Sequence, residues 1–213
     1  MDVTGTFELA MFPLSSVVFP HQRVPLHVFE PRYRQLVDDV EAGDGRFGIC
    51  LIARGSEVGG GDERVDVGTI VQIHSVIPFT DGRCMLVVEG IERIRVRQWL
   101  TDDPYPRARV EVDAGDEMPS DAALLATTEA GVRSLRSLDS EMNPDSCVDV
   151  GCEMESEPCV RAWQLCAMTP MATLDQFKLL KQDRCDDRLR LLGEICCERY
   201  GDLMRQLSLE PND

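Results

Sequence analysis

The sequence predicts an α+β protein, a β-rich first half closing as a small barrel or paired sheets with one helix, followed by an α-helical bundle. Three observations carry that reading. From residue 8 to residue 112, short apolar runs rich in β-branched residues are punctuated by Pro, Gly and Asp-Gly, as in a chain of short strands. At 113–119 the composition shifts, and beyond it apolar residues recur at helical spacing. With 213 residues and 43% hydrophobic content, the chain can bury a core that needs no metal or disulfide. The expected organisation is a β domain over 1–115 and a helical bundle over 116–213.

The first stretch, ELAMFPLSSVVFPHQRVPLHVFEPRYRQLVDDV at 8–40, sets the pattern. Proline lacks an N–H and fixes φ, so Pro13, Pro20, Pro25 and Pro31 are each expected at a corner. Between them, Met11–Leu14, Val17–Phe19 and Val24–Phe29 read as short strands. Pro31 opens a helix, where its missing N–H does no harm. Tyr33, Leu36, Val37 and Val40 then form one apolar face, and Gly43 stops the helix. Arg46–Arg54 is a continuous apolar run, expected as a buried strand. Gly55–Gly61, continuing through Asp62–Arg64, reads as a flexible loop. Val67–Ile77 is the next strand, and Pro78, Asp81 and Gly82 make a turn into the strand Cys84–Glu89. Gly90 breaks or bends that strand before Ile91–Leu100, where Ile91, Arg93, Arg95 and Arg97 share one face. Asp102–Pro106 is a turn and Arg107–Val112 the final strand.

Helical spacing governs the second half. Ser120 is expected to cap a helix from Asp121 to about Leu138, with Leu124, Leu125, Thr128, Val132 and Leu135 on one side. The acidic segment 139–158, with no Lys or Arg, reads as mobile or loosely helical. Cys159, Trp163, Cys166 and Ala167 mark the inner face of a second helix. Thr173 to Gln176 matches a capping box that starts a third, running through Lys181. The last helix spans Asp186 to Leu207, its apolar side formed by Leu189, Leu192, Cys196, Tyr200, Leu203 and Leu207.

A formal net charge of −16 argues against a nucleic-acid footprint and against docking on anionic membranes. Acidic surfaces aid solubility; the sharper reading is a surface that selects basic or unfolded segments. There are nine cysteines. The N-terminus has no basic or apolar region of a signal peptide, and no apolar run approaches the ~18 residues of a membrane span. A cytoplasmic protein with reduced thiols is the expectation. Cys147, Cys152, Cys159 and Cys166 are too widely spaced for the tight pairs of a zinc site, and no His lies near them, so no metal or cofactor is expected.

Chemistry-bearing motifs are scarce. Lys178 and Lys181 lie in a helix, not in a phosphate-binding loop, and neither has an apparent nucleophile partner. No Gly-x-Ser-x-Gly elbow is present. His21, His27 and His74 read as core-edge residues of strands and loops, and only residue type would support a dyad with Cys50 or Cys84. Glu30, between an apolar strand and a helix-opening proline, reads as a helix-terminal or paired carboxylate, with Arg93 or Arg95 as partner. Phe12, Phe19, Phe29 and Tyr33 are aromatic residues of the same stretch, either core or the wall of an apolar groove beside a sheet edge.

The opening run, PheGlyIleCysLeuIle at 47–52, ValGlyThrIle at 67–70 and ValGluGlyIleGluArgIleArgVal at 88–96 together resemble the N-terminal, substrate-binding domain of Lon proteases, in particular its stand-alone bacterial relatives. The resemblance spans about residues 7–205 and implies a PUA-like β pseudo-barrel with a helical extension. It covers neither the ATPase nor the Ser-Lys protease of Lon. The implied function is non-enzymatic recognition of polypeptide, as an adaptor or regulator of proteolysis. The partners implied are unfolded or tagged segments, or a protease. The candidate peptide-binding residues are Phe19, His27, Phe29, Glu30, Arg32, Tyr33, Arg93 and Arg95, with no catalytic residue among them. Three alternatives are an RNA-binding PUA-like module, using the arginines at 93, 95, 97, 107 and 109, a hydrolase without a recognisable motif, and a small-molecule pocket between barrel and bundle.

Overall fold

The computed structural model describes residues 5–55, 57, 61–113, 118–143 and 154–209. The chain divides into two units, Met1–Gly115 and Asp116–Asp213. The first holds β1 (Phe7–Leu14), β2 (Arg23–Val28), α1 (Pro31–Glu41), β3 (Arg46–Arg54), β4 (Glu63–Pro78), β5 (Cys84–Trp99) and β6 (Arg107–Val112). The second holds α2 (Ala122–Met142), α3 (Pro158–Met168), α4 (Thr173–Leu180) and α5 (Cys185–Leu209). The protein is α+β.

The strands form one sheet in the order β2-β5-β4-β3-β1-β6, and β6 also pairs with β5. That extra pairing closes the sheet on itself. β5 is long enough to serve two neighbours along one edge: Cys84–Glu89 pair with β2, and Ile94–Trp99 with β6. β1 and β3 run parallel, the connection between them passing through β2 and α1. The side-chain alternation of β1 feeds two apolar clusters. Leu9 and Met11 join Cys50, Ile70, Ile94, Ala108 and Val110. Phe12 and Leu14 join Leu26, Val28, Leu86 and the buried face of α1, Tyr33, Leu36 and Val37.

Several expected elements are corrected. Val17–Phe19 is buried but is not a strand. Backbone and side-chain bonds hold it instead: Thr69 Oγ1 donates to the Val18 carbonyl at 2.6 Å, and the His21 amide to the Gly90 carbonyl at 2.8 Å. Gly90 is required there, because a Cβ would lie 2.2 Å from the Phe19 carbonyl oxygen. Pro13 and Pro25 sit inside strands and not at corners. Both occupy stretches with a ladder partner on one side only, β3 beside Pro13 and β5 beside Pro25. β4 begins at Glu63, so Arg64 is in the ladder, opposite Ile52, and not in a loop. Of the expected flexible loop, residues 56 and 58–60 lie outside the described residues.

In the second unit, α2 is capped by Asp121, whose carboxylate accepts from the Ala123 amide at 2.8 Å, and not by Ser120. Ser120 bonds instead to the carboxylate of Asp186 at the start of α5. α2 runs on to Met142, into the segment expected to be mobile; residues 144–153 lie outside the described residues. The capping box at Thr173 is not made, since Ala172 is the N-cap of α4 and no side chain caps it. Leu189, Leu192, Cys196 and Leu203 of α5 are buried as the spacing requires, whereas Tyr200 and Leu207 are exposed. The helices are locked by two buried arginines that periodicity does not single out. Arg188 stacks over the Trp163 ring, 3.4 Å from its centroid, and donates to the Gln182 carbonyl. Arg136 Nη1 donates to the Met168 carbonyl at 2.6 Å, closing the end of α3.

Candidate functional site

β2 alternates strictly: Leu26 and Val28 point into the core, and Arg23, Pro25 and His27 point out. His27 stands opposite Met85 on β5, and Met85 opposite Ile77 on β4, so the three share one outer face. Beyond this row, the turn Pro78–Gly82 folds back through a bond from the Phe79 amide to the Arg83 carbonyl at 2.8 Å. The turn brings Phe79 edge-on to His27, with ring centroids 6.1 Å apart, while the Phe29 ring lies 5.7 Å from that of His27. Phe29, Ile77 and Phe79 are 46%, 52% and 43% exposed. These are large values for apolar side chains gathered in one place, and such clustering marks an interaction surface.

Two concavities flank this platform. The smaller, about 40 Å³, is lined by Phe12, Leu14, His27, Phe29, Glu30, Tyr33 and Glu57. Tyr33 stacks on Phe12 with centroids 4.1 Å apart, and the Arg32 guanidinium lies 4.5 Å from the centre of the Tyr33 ring. Arg32 also pairs with Glu30 at 3.1 Å and donates to the Glu57 carbonyl at 3.2 Å. The Glu57 carboxylate in turn accepts from the Ser15 amide. Burial pushes the Tyr33 phenol up to about 12, so it stays neutral and keeps its proton to donate. The larger concavity, about 620 Å³, is a groove between α1 and the β4–β5 turn, with Val37, Val76, Phe79 and Cys84 among its apolar lining. Arg34 reaches across it to donate to the Gly82 carbonyl at 3.2 Å.

The structure gathers His27, Phe29, Glu30, Arg32 and Tyr33 at this end of the first unit. It does not bring Phe19, Arg93 or Arg95 to them. Phe19 is 1% exposed and belongs to the core. Arg93 is 7% exposed, and both Arg93 and Arg95 pair with Asp113, at 3.0 and 3.2 Å. Glu30 therefore takes its cation from Arg32, two residues along its own chain, and from neither strand arginine. Ile77, Phe79 and Glu57 escaped the sequence reading. The available signal was Phe79 itself, a large apolar ring placed inside a Pro–Gly turn with no helix or strand to bury it.

The arginine face of β5 and β6 is neutralised in place. Besides the Asp113 pairs, Arg97 meets Glu111 at 2.7 Å, Arg107 meets Glu8 at 2.6 Å, and Arg109 meets Glu8 at 3.8 Å. Each arginine proposed for RNA thus has a carboxylate on its own or the adjoining strand, which removes most of the attraction for phosphate. Burial raises the Cys84 thiol and pushes that of Cys50 up to about 12, so neither is a ready thiolate. Among the described residues no group of His, Cys, Asp or Glu is placed to hold a metal, while Cys147 and Cys152 lie outside them. Among the described residues, too, no helix is long and apolar enough to cross a membrane.

The fold, a β unit with a helical unit after it, is shared with solved Lon N-terminal domains. The Lon N-terminal domain protein from Xanthomonas campestris superposes with a TM-score of 0.60 and 27% identity, covering 87% of this chain and 96% of that one. The N terminal domain of the Mycobacterium avium complex Lon protease shares the fold at a TM-score of 0.62 and 18% identity, over 90% of this chain and 99% of that one. In sequence, the chain is 25% identical over 204 residues to Lon protease 2 of Herpetosiphon aurantiacus, covering 92% of this chain. It is 34% identical over 105 residues to the Lon protease of Dictyoglomus thermophilum, covering 49% of this chain. The chain spans 24% and 13% of the length of those two relatives. The family model for the ATP-dependent protease La (LON) substrate-binding domain matches residues 8–198, and the chain belongs to that family.

Proposed function

We propose that this chain is a non-enzymatic polypeptide-recognition module, acting as an adaptor or regulator of proteolysis. One observation carries the reading: Phe29, Ile77 and Phe79 stand exposed together around His27, at the end of the edge strand β2. An unfolded segment would bury its own apolar side chains on these rings. Each well-buried aromatic contact of that kind is worth about 1.5–3 kcal/mol. Side-chain burial is favoured over backbone pairing, because Pro25 removes a donor from β2 and blunts it for strand addition. Residues 1–115 and 116–213 are proposed as separate domains, with recognition residing in the first.

Binding of a reduced, carboxymethylated polypeptide by calorimetry tests the proposal. The double substitution Phe29→Ala, Phe79→Ala is expected to weaken binding about tenfold or more while lowering the thermal melt by only a few degrees, since both residues are already close to half exposed. Unchanged affinity would remove the platform from the account. Hydrolysis of peptide or ATP by the purified chain, lost on a single substitution, would overturn the non-enzymatic part.

A further inference from the structure

Beside the platform, the small cleft has a composition the platform does not explain. Its walls are the rings of Phe12, His27, Phe29 and Tyr33, and its charged lining is Glu30 and Glu57. We infer that this cleft takes an ammonium group carried by the polypeptide that lies on the platform, either a chain N-terminus or a lysine side chain. The inference rests on the reading of the platform as a polypeptide-binding surface.

Charge, shape and size point the same way. Among the described residues, the carboxylates of Glu30, Glu57 and Asp62 outnumber the guanidiniums of Arg32 and Arg64 around this cleft, so negative charge is in excess. Arg32 engages Glu30 through Oε2, and the Ser15 amide engages Glu57 through Oε1; neither bond uses the second oxygen of its carboxylate. The faces of Tyr33 are taken by Phe12 and by the Arg32 guanidinium, and the half-exposed Phe29 ring supplies an apolar wall that excludes competing water. An anionic group would be repelled, and a neutral one would leave the carboxylates partly desolvated with nothing gained. The volume of about 40 Å³ matches roughly three water-sized spheres of 10–15 Å³ each. That leaves room for an ammonium head.

The test is fluorescence anisotropy with the full chain and a set of labelled apolar decapeptides. The parent is acetylated, amidated and uncharged; the others carry a free N-terminal amine or one central Lys. The ammonium peptides are expected to bind about tenfold tighter than the parent, with the gain shrinking as salt rises. A gain confined to the free amine assigns the source as chain N-termini, and one confined to Lys assigns side chains. Glu57→Gln keeps an acceptor for the Ser15 amide while removing the charge, and it should abolish the gain; Glu30→Gln should act in the same direction. Equal binding of charged and uncharged peptides, or a gain that survives both substitutions, would overturn the ammonium site while leaving the platform intact. Failure of every peptide to bind, the uncharged parent included, would overturn both.

Discussion

Tyr33 belongs to the core and to the cleft at once. Its ring packs on Phe12 among the buried residues of the first unit, and its burial holds the phenol at about 12. An unfolded tyrosine ionises near 10. The folded-state value is the higher one, so the contribution is fully present below about pH 10 and is lost as pH rises toward 12. Urea midpoints should therefore fall between pH 10 and pH 12, and Tyr33→Phe should flatten that fall; an unaltered slope in the variant would show that Tyr33 is not its source. Cysteine reactivity gives a second check at this scale. Cys196 is buried, with its thiol pushed up to about 11 by desolvation, while its chain neighbour Cys197 is exposed. Iodoacetamide at pH 8, read by peptide mass spectrometry, should label Cys197 and spare Cys196 in the native protein. Helical spacing puts Cys196 on the apolar side of the last helix, and that much was legible from the sequence alone. The pairing of Glu30 was not legible, because a ladder register decides where Arg93 and Arg95 point, and the register places them on Asp113.

Among the elements, β5 does the most to shape the first unit. Its change of neighbour, from β2 to β6, leaves room midway for the Phe19–Gln22 segment to lie against Gly90. Gly90→Ala would set a methyl 2.2 Å from a carbonyl oxygen held on both sides by hydrogen bonds. The backbone would have to move, and a loss of about 3 kcal/mol is expected in urea denaturation. A loss below about 1 kcal/mol would mean the segment gives way easily. That Gly90 is special is visible in the sequence, although β5 runs through it with a register shift and no break; its reason is not visible, since the atom it must avoid lies about seventy residues earlier in the chain. The same limit explains the misplaced prolines. Proline forbids a donor and not a strand, and only the sheet order shows that Pro13 and Pro25 lie where one edge is unpaired. Capping signals fail for a related reason: Ser120 is one residue too early, and tertiary bonding to Asp186 takes its side chain.

For the whole molecule, the net charge of −16 is less uniform in effect than it looks, because the arginines of β5 and β6 are consumed by Glu8, Glu111 and Asp113. The division into units at Gly115 leads to a further expectation. A fragment of residues 1–115 should give a dispersed proton–nitrogen correlation spectrum and bind the carboxymethylated polypeptide as the full chain does. A collapsed spectrum would show that the β unit depends on the helical one. The order of strands and helices, the Pro31 helix start and the family were determined by the sequence itself, since periodicity, turn residues and motif order are local properties of a chain. Closure of the barrel by β6, the ion pairs along β5, and the division of the aromatics into a buried Phe19 and an exposed Phe29 and Phe79 were decided only by tertiary structure. Exposure and charge pairing depend on what a distant segment places opposite a residue, and two chemically equivalent phenylalanines carry no mark of that difference in the sequence.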